Sequence, residues 1–284
     1  MFADDVKIYE IHKSLSSPQF QNALNNLSSW SKNWSLPISL EKTSLLAISN
    51  NKNHSPSSFS LNDSPISYTS TIKDLGITFS NKIVFNEHIQ KITKNGNFRS
   101  LQLLRTIHSR KPQIWSTAFK TYVRPILEYC PEIWNPSSKK FILLLENVQK
   151  VFTRNVFRKC YLPKIPYLER LKFLNLQTLY SRRIITDLTT IYKILNRLTC
   201  LDPNDFIAFS TRPSRKHPYQ IQHVRHNTTS AQSLFTRNTN RWNALPHEIV
   251  TSPSLQSFKH NIKLFINSTD SPLYTLTLSN NIVL

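Results

Sequence analysis

Apolar and polar positions along the chain change their period near residue 86. Ahead of that point the pattern is short and mostly strand-like. "VKIYEI" at 6–11 alternates as a half-buried strand does, with Val6, Ile8 and Ile11 as its apolar members. A helix is predicted next: Ser17 is a good N-cap and Pro18 suits the first helical position. Phe20, Leu24, Leu27, Trp30 and Trp34 then recur at helical spacing. "TSLLAIS" at 43–49 reads as a strand, and "NNKNHSPSSFSLNDSP" at 50–65 as a polar connection rich in turn formers. "ISYTSTIKDLGITFS" at 66–80 reads as a β-hairpin, with Gly76 giving the backbone freedom near its centre.

Beyond residue 86 the period is helical. "FNEHIQKITKNGNFRSLQLLRTI" places Ile89, Ile92, Leu101, Leu104 and Ile107 on one broad stripe. A segment at 112–129 follows, in which Pro125 is expected to kink or divide the helix. In "SSKKFILLLENVQKVFTRNVF", Phe141, Leu144, Leu145, Val148, Val151, Phe152 and Val156 form an apolar seam. Lys139, Lys140, Lys150, Arg154 and Arg158 fall off that seam. "TLYSRRIITDLTTIYKILNRL" at 178–198 predicts another helix, 201–232 a loop-rich connector, and 233–266 short terminal helical elements. The whole reads as an α+β chain.

Charge sharpens this division. Residues 1–89 hold 7 basic and 7 acidic residues, whereas 90–200 hold 21 basic and 5 acidic, a net of +16. Residues 201–284 hold 8 and 4, and the chain totals +20. Solubility alone usually mixes the signs, so a neutral front and a strongly basic middle point to a polyanion partner, nucleic acid first. The competing reading is a solvated helical surface, which weakens when several helices share the pattern. With only 2 glycines, Gly76 and Gly96, the chain lacks the glycine-rich loops of P-loop and dinucleotide-binding proteins. Cys130, Cys160 and Cys200 stand far apart with no CxxC pairing, as expected of reduced thiols and not of a Cys-based zinc site. His223 and His226 have a spacing that zinc accepts, but no Cys or carboxylate partner lies nearby in sequence. No signal peptide or membrane span is evident, so the expectation is an intracellular protein, cytoplasmic or nuclear, not secreted, with no membrane partner.

The candidate chemistry begins at Asp4 and Asp5. Two carboxylates at a tight turn can ligate a hard cation such as Mg²⁺, though a solvated acidic turn has the same sequence. Here a resemblance enters. "FADD" at 2–5, "LSSWSKNWSLPISLEKTSLLAIS" at 27–49 and "IKDLGITFSNKIVFNEHI" at 72–89 resemble, in order, three blocks of a LINE-type (non-LTR) retrotransposon reverse transcriptase. These are the catalytic turn of the palm, the next palm block, and the primer grip. "TYVRPILEYCPEIWNP" at 121–136 and "LQTLYSRRIITDLTTIYKILN" at 176–196 resemble the thumb and post-thumb region, and "RWNALPHEIVTSPSLQSFKHNIKLF" at 241–265 the C-terminal ending.

The resemblance implies a partial palm over 1–70, a primer-grip β-hairpin over 71–85, a basic helical thumb over 86–200 and a loop-rich C-terminal region over 201–284. Asp4 and Asp5 would be two of three palm carboxylates holding Mg²⁺, and Lys42 would lie near the incoming dNTP and protonate the departing pyrophosphate. Leu75, Gly76 and Ile77 would set the grip backbone by the primer end. Lys139, Lys140, Arg154, Arg182 and Arg183 would contact phosphates of an RNA template and an RNA–DNA or DNA primer duplex. For Tyr122, Arg124, Tyr129 and Trp134 packing is the first expectation. The family's further aspartate sits on an earlier palm strand than "FADD", so no polymerase activity is expected of these residues alone, and the first segment is expected to be less stable than the helices. The alternative is a non-catalytic helical module that binds RNA or DNA.

Overall fold

The computed structural model describes residues 5–11, 18–49, 58–210, 217–222 and 233–267. Asp4, Ser17, His223 and His226 lie outside them. The fold is α+β with helix dominant, and the chain divides into two units, 1–85 and 86–284.

In the first unit, helix α1 (Pro18–Asn33) begins at the proline whose fixed φ and missing N–H suit a helix start. Its buried face is Leu24, Ser28 and Ser31, with Phe20 and Leu27 partly covered; Trp30 is more open and Trp34 is 68% exposed. The tryptophans therefore do not continue the apolar stripe. The polar connection contains a small hairpin, β2 (Ser60–Leu61) with β3 (Ser64–Pro65), while β1 (Ser44–Leu45) pairs in parallel with β4 (Ser67–Tyr68). At its turn Asn62 and Asp63 both take positive φ, 51° and 60°, which these residue types tolerate. The Gln21 amide binds the backbone of Ser60 in both directions, at 2.9 and 3.1 Å, and Phe20 meets Phe59 edge to face. Leu24, Phe59, Leu61 and Ile66 form the small core there.

Hairpin β5 (Thr71–Asp74) and β6 (Ile77–Ser80) is closed by a two-residue turn, Leu75–Gly76, with φ of 45° and 88°. Residues 6–11 form no strand, and Ile11 is 94% exposed. Alternation alone does not make a strand; a ladder partner does, and among the described residues 6–11 has none. The segment is instead tied to the hairpin by an ion pair between the Lys7 ammonium and the Asp74 carboxylate, with Lys7 also over the Phe79 ring.

The second unit is helical: α2 (Asn86–Thr106), α3 (Pro112–Ala118), α4 (Arg124–Glu128), α5 (Pro131–Trp134), α6 (Lys139–Lys159), α7 (Tyr167–Phe173), α8 (Leu179–Leu195), α9 (Leu234–Asn243), α10 (His247–Val250) and α11 (Leu255–Asn267). A π-helical turn, Phe119–Val123, joins α3 to α4 directly ahead of Pro125. The wider turn accommodates the proline ring, which would otherwise press on the preceding turn's carbonyl. In α6 the predicted seam is inside at Phe141, Leu145, Val148, Phe152 and Val156, and Arg158 and Lys159 complement the negative C-terminal end of the helix dipole. On α2 the buried face is Ile89, Ile92, Thr93, Gly96, Ser100 and Leu104, and Leu101 turns outward, against expectation. A Cβ on Gly96 would lie 2.8 Å from Leu127 Cδ2 and 3.5 Å from Val148 Cγ1, so glycine is what lets α2 approach α4 and α6.

Buried polar side chains join α5, α6, α8 and α9. Asp187 has no solvent exposure and accepts from Asn135 Nδ2 at 2.9 Å, Asn238 Nδ2 at 2.9 Å, and Arg237 Nε and Nη2 at 3.0 and 2.9 Å. Arg183 donates to Asn135 Oδ1 at 3.1 Å. Glu146 accepts the Tyr167 hydroxyl at 2.5 Å and the first backbone N–H groups of α8, Leu179 and Tyr180, at 3.2 and 3.1 Å, thereby capping that helix from the side. Burial pushes the Glu146 carboxyl upward, while Tyr167, Arg183 and the two N–H groups pull it back. Around these groups pack Leu188, Ile191, Trp242, Phe258 and Ile262, with Tyr192 stacked on Phe258 at 4.2 Å.

Two consequences can be measured. Gly96→Ala gains helix propensity of about 1 kcal/mol but overpacks a tight crossing at about 1–3 kcal/mol. We expect a net loss near 1 kcal/mol in urea unfolding; an unchanged or raised midpoint would contradict the crossing. His88 is buried beside Trp134, and burial, aided by Lys91, holds its imidazole below the ordinary 6.5. The folded chain thus binds this proton less tightly than the unfolded chain. Its stabilising contribution is full above about pH 6.5 and is lost as pH falls through the lowered value. Urea midpoints between pH 7.5 and 5 are expected to fall less steeply for His88→Gln than for the parent; identical slopes would refute this.

Candidate nucleic-acid interface

Outward-facing charge on the second unit is concentrated on two long helices. On α2, Lys91, Lys94, Phe98, Leu101 and Arg105 follow one another at spacings of three and four and are all exposed, Phe98 at 63% and Leu101 at 52%. This stripe lies opposite the buried face that contains Gly96. The mixture of cations with exposed apolar side chains was hidden in sequence, because Leu101 fits the helical apolar stripe equally well. On α6, Lys150, Arg154 and Arg158 are exposed off the apolar seam, and Lys139 and Lys140 are exposed at the helix start. There the unpaired N–H groups of the first turn add positive potential to the two ammoniums.

The arginines at 182 and 183 have separate fates. Arg183 is 0% exposed, its guanidinium set between Asn135 and the field of Glu146, Glu128 and Asp187. It is a core residue and not a surface phosphate contact; burial lowers its proton affinity and the three carboxylates offset that only in part. Arg182 remains partly exposed but forks onto both oxygens of Glu128, at 2.6 and 2.8 Å, so part of its charge is already matched. Arg124 reaches the same carboxylate at 3.8 Å. Arg170, unnoticed in sequence, is also mostly inside and donates to the carbonyl of Ile165 at 2.9 Å.

Among the other candidates, Trp134 is buried and donates to the Tyr129 carbonyl at 2.8 Å, whereas Tyr122 and Tyr129 are exposed and do not pack as expected. Lys42 is exposed at the end of a short 3₁₀ turn, Leu40–Lys42. In the hairpin Ile77 is buried, while Leu75 and Gly76 form the exposed tip. A leucine at positive φ is strained, since its branched side chain crowds the backbone there. Asp5 is exposed two residues before Lys7, whose partner Asp74 leads into that tip. Asp4 is outside the described residues, and among those described no group of three or more His, Cys, Asp or Glu could hold a metal. The described residues therefore do not by themselves make a Mg²⁺ site, and no step is derived through one. Among them, too, no helix is long and apolar enough to cross a membrane.

Comparison with known proteins adds two likenesses. An uncharacterized protein of Caenorhabditis elegans is 31% identical over 125 residues, covering 44% of this chain and 63% of that protein. The RNA-directed DNA polymerase from mobile element jockey of Drosophila melanogaster is 22% identical over 240 residues, covering 78% of this chain. The chain spans 63% of the first relative and 26% of the second. No family model and no solved structure matches. The jockey match supports a distant relationship to reverse transcriptases.

Proposed function

We propose that these residues are the primer-grip and thumb-bearing part of a LINE-type reverse transcriptase, and that their own task is to hold a template–primer duplex. The observation that carries this reading is the exposed stripe Lys91, Lys94, Phe98, Leu101, Arg105 on α2, directly after the β5–β6 hairpin. Three cations spaced along one helical face match a backbone of repeating phosphates, and the two apolar side chains between them can lie against sugar faces. Such contacts position a duplex without reading its sequence. The 240-residue likeness to the jockey RNA-directed DNA polymerase supports the same reading.

In the intact polymerase this reading gives Asp4 and Asp5 to a Mg²⁺ site shared with a carboxylate on another palm strand, Lys42 to the dNTP, and the Leu75–Gly76 tip to the primer end. By themselves the 284 residues would bind the RNA template and primer duplex but not extend it. The second reading, a binding module with no polymerase in its history, shares the basic helices and differs only in primer extension once a complete palm is supplied.

The test is fluorescence anisotropy with a 20-base-pair RNA–DNA hybrid across a salt series. We expect log K to fall with log salt, and Lys94→Ala with Arg105→Ala to flatten that slope by about 2, near 0.9 per lost phosphate contact. An unchanged slope with a folded variant would remove α2 from the interface. In primer extension with Mg²⁺ no product is expected; product that disappears in Asp4→Asn would show instead that the chain is catalytically sufficient.

A further inference from the structure

A groove of about 320 Å³ runs along the C-terminal part of the second unit, well apart in sequence from the α2 stripe. Its floor is one face of α8, where Arg182, Thr186, Thr189 and Lys193 follow at spacings of four, three and four, and its far bank is α11, through Lys259 and Lys263. From position 182 to 193 that face extends about 16 Å. Arg182 is partly matched by Glu128, which it shares with Arg124, and among the described residues the three lysines have no ion-pair partner.

Two polar atoms in the lining have no hydrogen-bond partner among the described residues. Thr189 is 6% exposed and its hydroxyl is unmet, and Oε2 of Glu132, at the α5 edge, is buried and unmet. A buried polar atom left unpaired costs about 1–3 kcal/mol, and a groove ligand that supplied an acceptor to Thr189 and a donor to Glu132 would relieve both. A bare phosphate answers the lysines and Thr189 but repels Glu132. A phosphodiester next to a ribose answers all of them: phosphate oxygens to the ammoniums and the Thr189 hydroxyl, and the 2′-hydroxyl donating to Glu132. Among the described residues no aromatic side chain lines the groove, so none of these stacks on bases.

We infer that this groove holds the backbone of single-stranded RNA, with Lys193, Lys259, Lys263 and Thr189 on phosphate and Glu132 on a 2′-hydroxyl. The inference rests on the reading of this chain as a nucleic-acid binder and adds to it a second contact surface, selective for ribose and indifferent to base sequence.

The test uses the full chain with labelled rU12 and dU12, which differ only in the 2′-hydroxyl, in anisotropy titrations at several salt concentrations. The parent is expected to favour rU12 about fivefold. The triple variant Lys193→Ala, Lys259→Ala, Lys263→Ala is expected to flatten the rU12 salt slope by about 2, near 0.7 per phosphate. Glu132→Ala should bring the rU12:dU12 ratio close to one, and Thr189→Val, which keeps shape and removes an unpaired hydroxyl, should weaken rU12 without lowering the unfolding midpoint. If rU12 binds but the triple variant keeps the parent slope, the groove is overturned and the α2 interface stands. If neither rU12 nor the hybrid duplex binds, both fail. A parent ratio of one, or a ratio unmoved in Glu132→Ala, overturns the ribose contact.

Discussion

A single buried carboxylate organises the helical unit. Asp187 has no solvent exposure and is held by Asn135 from the end of α5 and by Arg237 and Asn238 from α9. An unpaired charge at that depth would cost several kcal/mol, so the three segments have to arrive together for α8 to lie where it does. Arg237 extends the tie, donating to the Glu132 carbonyl at 2.5 Å, and Arg241 continues it to the Tyr180 hydroxyl at 2.9 Å. On the other side Glu146 takes the first N–H groups of α8 and fixes that helix against α6. Residues separated by about a hundred positions thus share one hydrogen-bonded cluster.

That cluster also explains how a chain of +20 packs at all. Arg170 and Arg237 are met inside by carbonyls or a carboxylate, and Arg183 lies in the field of three carboxylates with its Nε on Asn135, while its two terminal nitrogens have no hydrogen-bond partner among the described residues. The cations with no such partner inside are turned out along α2, α6 and the face of α8 beside α11. Repulsion among them is relieved by solvent and salt, and further by a bound polyanion. Among the described residues the first unit has no comparable organiser: its core is Leu24, Phe59, Leu61 and Ile66, held to α1 by the Gln21 amide. A small core of this kind favours local opening at lower free energy than in the helices.

Periodicity made the long helices legible. The α6 seam, the start of α1 at Pro18, the hairpin around Gly76 and the disturbance ahead of Pro125 were all readable, because each depends on local backbone chemistry. What periodicity could not reach was which side of a helix faces solvent when both sides carry apolar residues. Leu101 and Trp34 fit the inward pattern and face outward: small residues, Gly96 and Ser100 on α2 and Ser28 and Ser31 on α1, share the buried faces with the larger apolar ones, and Trp34 lies just past the end of α1. Arg182 and Arg183 were equivalent on paper; a rotation of about 100° between neighbours sends one to Glu128 and the other into the interior. The strand read into 6–11 failed because alternation says nothing about a pairing partner. Of the acidic pair, only Asp5 is among the described residues, and what the pair does was legible by resemblance alone.

The position of α8 depends most directly on Asp187 and Arg237 acting as one unit. A double-mutant cycle with Asp187→Asn and Arg237→Leu, read by urea unfolding of the full chain, measures that. Each single change is expected to cost about 3 kcal/mol or more, and the pair to cost less than the sum by about 2 kcal/mol, because removing one partner already strands the other. Costs that add to within about 0.5 kcal/mol would contradict it, and with it the view that this buried pair sets the position of α8.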